Sequence, residues 1–263
     1  MEFRVAVVTP YYKEPLETLR QCHESVRAGR HIEVVHYMVA DGHAKPEIDA
    51  WPVKHVRLPE AHGDNGNTPR SVGSALADAA GFDFIAYLDA DNWYRPGHID
   101  SLVETFETTG AAVSCSKRTY HRLDGSELEV TETHEDLGYH VDTSCLLLHR
   151  QAFGDCRIWH RMPRPLSPLC DRVFYRALRH KRYSIAHSGE RTVAFSTQYK
   201  GHYKALNEEP PAGADKDYDS LRPSLDYLYS AAGIRETVAT LGFWPGAGLK
   251  EELLYIRDHI KPA

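Results

Sequence analysis

Phe84-Ile85-Ala86-Tyr87-Leu88-Asp89-Ala90-Asp91-Asn92-Trp93 reads as a buried strand that stops at two carboxylates. Residues i and i+2 of an extended segment point the same way. Asp89 and Asp91 therefore face one small volume at the strand's carboxyl end, where open α/β sheets bind their ligands. Two convergent carboxylates suit a hard divalent cation, and such an ion often bridges to phosphate oxygens. The spacing alone is weak evidence. Asp215-Lys216-Asp217-Tyr218-Asp219 repeats it twice behind Glu208-Glu209-Pro210-Pro211-Ala212-Gly213, and reads as solvated loop. What sets Asp89 and Asp91 apart is the apolar run before them.

Around that stretch, strand patterns alternate with helical ones, which predicts an α/β fold on a mostly parallel sheet. Strands are expected at 3–8, 32–40, 53–58, 82–88, 111–116 and 141–149. Pro15, Thr68-Pro69, Pro96 and Ser167-Pro168 open helices, with Thr68 as N-cap and Pro69 in the first turn. Residues 119–139 read as a polar hairpin turning at Asp124-Gly125. Short strands are expected at 183–186 and 192–195, a polar loop over 203–222, and a helical tail broken near Gly242 to Gly248.

Composition narrows the function classes. Hydrophobic content of 42%, charged content of 26% and a net charge of −6 suit a globular protein and lack the basic footprint of a nucleic-acid binder. No apolar run approaches the ~20 residues of a membrane span. Met1 to Val8 reads as a first strand rather than a signal peptide. The five cysteines are scattered, without zinc-ligand spacing. They point to free thiols in a reducing, cytoplasmic compartment. The apolar faces of the tail leave a homo-oligomer open.

Val7-Val8-Thr9-Pro10-Tyr11-Tyr12, Val39-Ala40-Asp41-Gly42, Arg70-Ser71-Val72-Gly73 and Leu88-Asp89-Ala90-Asp91 together resemble the family 2 glycosyltransferases with the GT-A fold. A weaker echo runs through Cys145 to Arg150 and Cys170-Asp171-Arg172. Two departures stand out: Cys170-Asp171 where the family often has Glu-Asp, and Arg70-Ser71 where it often has Arg-Asn. The resemblance implies a Rossmann-like GT-A domain over 1–222, with a donor-binding half (1–118) and an acceptor half (119–222). A small C-terminal helical extension over 223–263 would follow, and its sequence matches no family pattern.

The same resemblance implies transfer of a sugar from a nucleoside diphosphate donor, usually a UDP-sugar, to a hydroxyl of a glycan, lipid-linked or small-molecule acceptor. Mn2+ or Mg2+ would be the cofactor. Thr9, Pro10 and Tyr11 are expected to line the base pocket, and Asp41 to accept from uracil. Arg70, in the first turn of a helix, favours an anion there. Asp89, Ala90 and Asp91 would meet the donor, with Asp91 and Asp89 as metal ligands. The family often adds a histidine ligand; His202 is the candidate and His187 the runner-up. Lys200 is expected at phosphate, Asp142 and Thr143 at the sugar, and Trp93 at the acceptor wall. Asp171 is expected to be the base of an inverting displacement, kept ionised near a helix N-terminus. Three rival readings stay open. They are a retaining transferase, a non-catalytic nucleotide- or carbohydrate-binding module, and a nucleotidyl transferase, although the last usually carries a Gly-rich basic loop that Thr9 to Glu14 lack.

Overall fold

The computed structural model describes residues 3–29, 31–132 and 140–263. Its strands are β1 (Phe3–Tyr11), β2 (Ile32–Asp41), β3 (Lys54–Leu58), β4 (Phe84–Tyr87), β5 (Trp93–Tyr94), β6 (Val113–His121), β7 (Glu127–Leu128), β8 (Val130–Glu132), β9 (Leu146–His149), β10 (Ile185–Ser196) and β11 (Ile260–Pro262). Its helices are α1 (Leu16–Ser25), α2 (Asn67–Ala79), α3 (His98–Thr109), α4 (Ile158–Arg161), α5 (Cys170–His180), α6 (Lys200–Ala205), α7 (Arg222–Tyr229), α8 (Ala231–Leu241) and α9 (Leu249–Asp258).

Val5 to Val8 of β1 are fully buried, as a strand covered on both faces requires. Among the described residues the main sheet runs β3-β2-β1-β4-β9-β6-β10-β5, with β7 on β6. The pairs β1/β2, β2/β3, β1/β4 and β6/β10 are parallel, while β9 runs antiparallel to both β4 and β6. The reversal at β9 leaves β6 and β10 running in the same sense as β1, β2 and β4. All five carboxyl ends thus reach one edge of the sheet.

The acid pair sits where β4 loses its partner. Leu88 N–H makes a last bond to the Val8 carbonyl (3.2 Å), and the chain then turns through Asp89 to Asn92. Asn92 is buried and fixes that turn, donating to Ser144 Oγ (3.1 Å) and accepting from Ser196 N–H (3.0 Å). Helix α2 packs on β1 through Gly73, where a β-carbon would lie 2.4 Å from Val8 Cγ1. Only a residue without a side chain permits that approach.

Local details depart from the sequence reading. Thr68 is not the cap of α2, which starts at Asn67; Asp64 accepts from both the N–H (3.0 Å) and the hydroxyl (2.6 Å) of Thr68. Ser167 does not cap α5 either. A 3-10 turn (Arg164–Leu169) leads into Cys170, and Asp171 still falls in the first turn of α5. The two short strands expected after Tyr183 are one long β10 with irregular register near Arg191. The expected polar loop over 203–222 contains the second half of α6 and a 3-10 turn (Tyr218–Leu221). The hairpin turn at Gly125 is present in β6–β7 (φ +87°), whereas the 133–139 part of that reading lies outside the described residues.

The tail folds back onto the rest. Leu228, Leu241, Leu249 and Leu253 join the main apolar core, and β11 pairs antiparallel with β8. Glu252 of α9 accepts from Arg172 (2.5 Å) and Arg176 (2.7 Å) of α5. Among the described residues no helix is long and apolar enough to cross a membrane. All five cysteines are free and buried.

Candidate active site

The shared edge of the sheet carries a cleft of about 560 Å³. One side is built by the ends of β1, β2 and β4. Pro10 and Tyr12 stand at its wall, and Tyr12 is exposed beside the His43 ring (4.5 Å between centroids). Asp41 closes β2. Its Oδ1 accepts from His62 N–H (2.9 Å) and its Oδ2 from Gly63 N–H (3.0 Å), so it clasps the loop leading to α2. Arg70 is buried; its Nη1 donates to the Asn65 carbonyl (2.7 Å) and its Nη2 to Asp89 Oδ1 (2.5 Å). The indole of Trp159 lies 5.1 Å from the same guanidinium.

The opposite side holds a buried polar network. Arg118, on β6, bonds Asp142 Oδ2 (3.1 Å) with Nη1 and Glu132 Oε2 (2.9 Å) with Nη2. Glu132 Oε1 also meets His202 Nε2 (2.8 Å) and the Tyr218 hydroxyl (3.0 Å). Asp142 Oδ1 accepts from Ser144 N–H (2.9 Å), which shapes the turn carrying Thr143. Asp171 Oδ2 lies 2.6 Å from His140 Nε2, and its Oδ1 accepts from Arg172 N–H (2.7 Å).

Crowded carboxylates repel one another, and burial penalises each charge. Asp89, Glu132 and Asp142 each meet an arginine, and Asp171 meets His140. Asp91 is different: among the described residues it has no ion pair, and its contact is the Gln198 amide at 3.5 Å. Burial first, then the charge of Asp89, pushes its carboxyl up to about 7, while Lys216 opposes the rise. Burial also raises Asp142, against the charge of Arg118. Burial would raise Asp171 too, but the charge and hydrogen bond of His140, with Arg172, hold it well below the usual carboxylate range. Burial pushes the Cys170 thiol up to about 12. The residue standing where the family pattern has an acid is therefore neutral.

Asp89 and Asp91 offer hard oxygen donors, the set that Mg2+ or Mn2+ prefers. The uncompensated charge on Asp91 is what a divalent ion would neutralise, so the residues fit such an ion. The histidine does not join them. His202 turns Nδ1 to the Thr197 hydroxyl (2.6 Å) and Nε2 to Glu132, so both ring nitrogens are engaged. Among the described residues no group of three His, Cys, Asp or Glu side chains is placed to hold a metal.

The cleft brings together Pro10, Tyr11, Asp41, Arg70, Asp89, Ala90, Asp91, Asp142, Thr143, Asp171 and His202. It does not bring in Thr9, which is fully buried with its hydroxyl 2.8 Å from His36 Nε2. Neighbours on a strand face opposite ways, so Pro10 at the cleft puts Thr9 beneath the sheet. The Tyr11 ring is likewise buried, its hydroxyl tied to His55 (2.6 Å) and Lys45 N–H (3.1 Å). Trp93 packs on His121 (4.7 Å between centroids), Lys200 turns to Asp217 (3.9 Å), and His187 pairs with Cys115 well before the end of β10. Sequence reasoning passed over Tyr12, Arg118, Glu132, His140, Arg172 and Lys216, all of which line the cleft.

A mostly parallel sheet with an acid pair at the carboxyl end of a central strand, opening into a two-sided cleft, is the GT-A scaffold of sugar transferases. Residues 6–163 match the model of glycosyl transferase family 2, more than half of the chain, and the chain belongs to that family. It is a glycosyltransferase. No curated protein matches the sequence. Among solved structures, the fold is similar to S. aureus TarS 1–349 in complex with UDP, with a TM-score of 0.58 at 14% identity over 95% of this chain and 77% of that one. The S. aureus TarS 1–349 structure in complex with UDP-GlcNAc superposes with a TM-score of 0.50 at 14% identity, over 96% of this chain and 78% of that one.

Proposed function

We propose that the cleft binds a UDP-sugar with a divalent cation and transfers the sugar, with inversion, to an acceptor hydroxyl activated by Asp171. The observation that carries this reading is the uncompensated Asp91 beside an Asp89 already locked by Arg70. Such a pair leaves a local excess of negative charge that a bound cation relieves without protonating Asp91. The UDP and UDP-GlcNAc seen in the TarS complexes make a uridine donor the first choice.

Asp89 and Asp91 would hold the cation. When bound, it stabilises charge developing on the leaving diphosphate. Arg70 orients Asp89. Tyr12, exposed at the wall, offers a face for the base, with Asp41 fixing the loop beside it. Lys216 supplies a cation on the Asp91 side of the cleft; its backbone is pinned by Lys200 N–H (2.8 Å) and to Gln198 (3.0 Å).

The test is a thermal-shift panel of UDP, UDP-sugars and GDP, each with and without Mn2+. A ligand that binds only the native state stabilises it by mass action. UDP with Mn2+ is expected to give the largest shift. Lys216→Ala is expected to weaken UDP binding by about tenfold, the loss of one charge-assisted contact of about 1.5 kcal/mol. No Mn2+-dependent shift with any nucleotide would overturn the reading. Product anomeric configuration, read by NMR, separates inversion from retention.

A further inference from the structure

We propose that His140 is the positioning residue of the base, holding the Asp171 carboxylate in one rotamer and in its charged state. The inference rests on the reading of Asp171 as that base. In the transfer step the acceptor O–H gives its proton to Asp171. Its oxygen bonds the anomeric carbon, and the electron pair of the breaking C–O bond leaves on the diphosphate. Asp171 must therefore arrive at the step ionised and aimed.

Its surroundings oppose both requirements. Asp171 sits in a cleft wall among other acids, with Asp142 close enough to feel its charge. Among the described residues, Tyr199, Cys170 and Arg172 also face it. The Arg172 guanidinium is committed elsewhere, to Glu252 (2.5 Å), and only its backbone N–H reaches Asp171. Among the described residues, His140 is the side chain that hydrogen-bonds the carboxylate, at 2.6 Å, and it is itself buried. Being buried, it has little freedom to swing away, so Oδ2 is held in one direction while Oδ1 accepts from Arg172 N–H.

Two variants separate orientation from charge. Gln at 140 keeps a donor near the Nε2 position but carries no charge; Leu keeps neither. The assay is UDP release, at saturating donor and Mn2+, from the UDP-sugar that gives the largest thermal shift, with water as acceptor. A base works only when ionised, and the contact with His140 lowers the pKa of Asp171, so losing that contact raises it. His140→Gln is therefore expected to move the acid limb of kcat to higher pH, with UDP affinity unchanged. His140→Leu is expected to lower kcat by about 10- to 100-fold, a share of the ~10²–10⁴ that a general base contributes, again with UDP affinity unchanged. If both variants keep the wild-type kcat and acid limb while Asp171→Asn is inactive, His140 is only structural and the proposal fails. If Asp171→Asn keeps full activity, the underlying reading fails instead.

Discussion

Asp91→Asn is expected to remove Mn2+-dependent UDP binding and to cut sugar transfer by about 10³-fold or more, while making the protein harder to unfold. The loss follows from removing a hard anionic ligand where an ion is to offset leaving-group charge, a contribution of several kcal/mol. The gain in stability follows from the same crowding. Burial, then Asp89, raises the folded-state pKa of Asp91 to about 7, against about 3.9 in an unfolded chain. Between those values the folded state holds the extra proton, so stability falls as pH rises through the window, and the penalty is complete above about 7. Asparagine carries no such penalty. The variant should therefore unfold at a higher temperature than the wild type at pH 8 without metal, and the advantage should vanish near pH 4. Calorimetry at the two pH values, with a UDP and Mn2+ titration, checks both halves. Equal melting at pH 8, or UDP binding that still needs Mn2+, would count against the assignment. A residue that weakens the fold and is relieved by a ligand is the pattern expected of a binding site rather than of a core.

The first hundred residues disclose their architecture because local pattern and global burial agree there. The apolar runs of β1 and β4 are covered on both faces, so each reads as a continuous hydrophobic segment, and the acids after Leu88 mark where coverage ends. The wall of the cleft that carries Arg118 was hidden for a physical reason. In Ser114-Cys115-Ser116-Lys117-Arg118-Thr119-Tyr120, an arginine looks like a solvent-facing position of an alternating strand. Its burial depends on β10 pairing along the same strand and on Phe195 lying 4.7 Å from its guanidinium. Those contacts join segments far apart in sequence. Lys216 was hidden likewise: a bland acidic loop reaches the cleft through its bridge to Tyr199 and the bond from Tyr218 to Glu132. Lys200 was expected at phosphate from the family resemblance, but the turn into α6 aims it at Asp217.

The tail bears on the same wall of the cleft from two directions. Glu252 of α9 holds Arg172, whose backbone holds Asp171, and β11 pairs with the strand that carries Glu132. A segment with no recognisable motif thus backs the wall that the motifs need. Its sequence carries no family pattern because packing constrains its shape, and many apolar choices satisfy packing.

Arg118→Met is expected to cost about 3–5 kcal/mol of stability, the usual consequence of removing one partner from a buried ion pair. Arg118, Glu132 and Asp142 are each under a tenth exposed. Methionine matches the length of the stem but leaves Glu132 and Asp142 without the guanidinium that bridges them. The pH dependence distinguishes this from a packing defect. Asp142 already lies above the usual carboxylate range because of burial, and Arg118 is the charge opposing that rise. Without it the folded-state pKa climbs further. The folded state then holds a proton that the unfolded chain releases near 3.9, and stability is lost as pH rises through the interval. Urea unfolding at about pH 5 and about pH 8 should show the gap between variant and wild type widening at the higher value. A pH-independent loss would mean that Arg118 acts through its packing on Phe195 and Tyr120 alone. Arg118→Lys should fall between the two, because it keeps the charge but loses the two-pronged geometry that lets one side chain reach both acids.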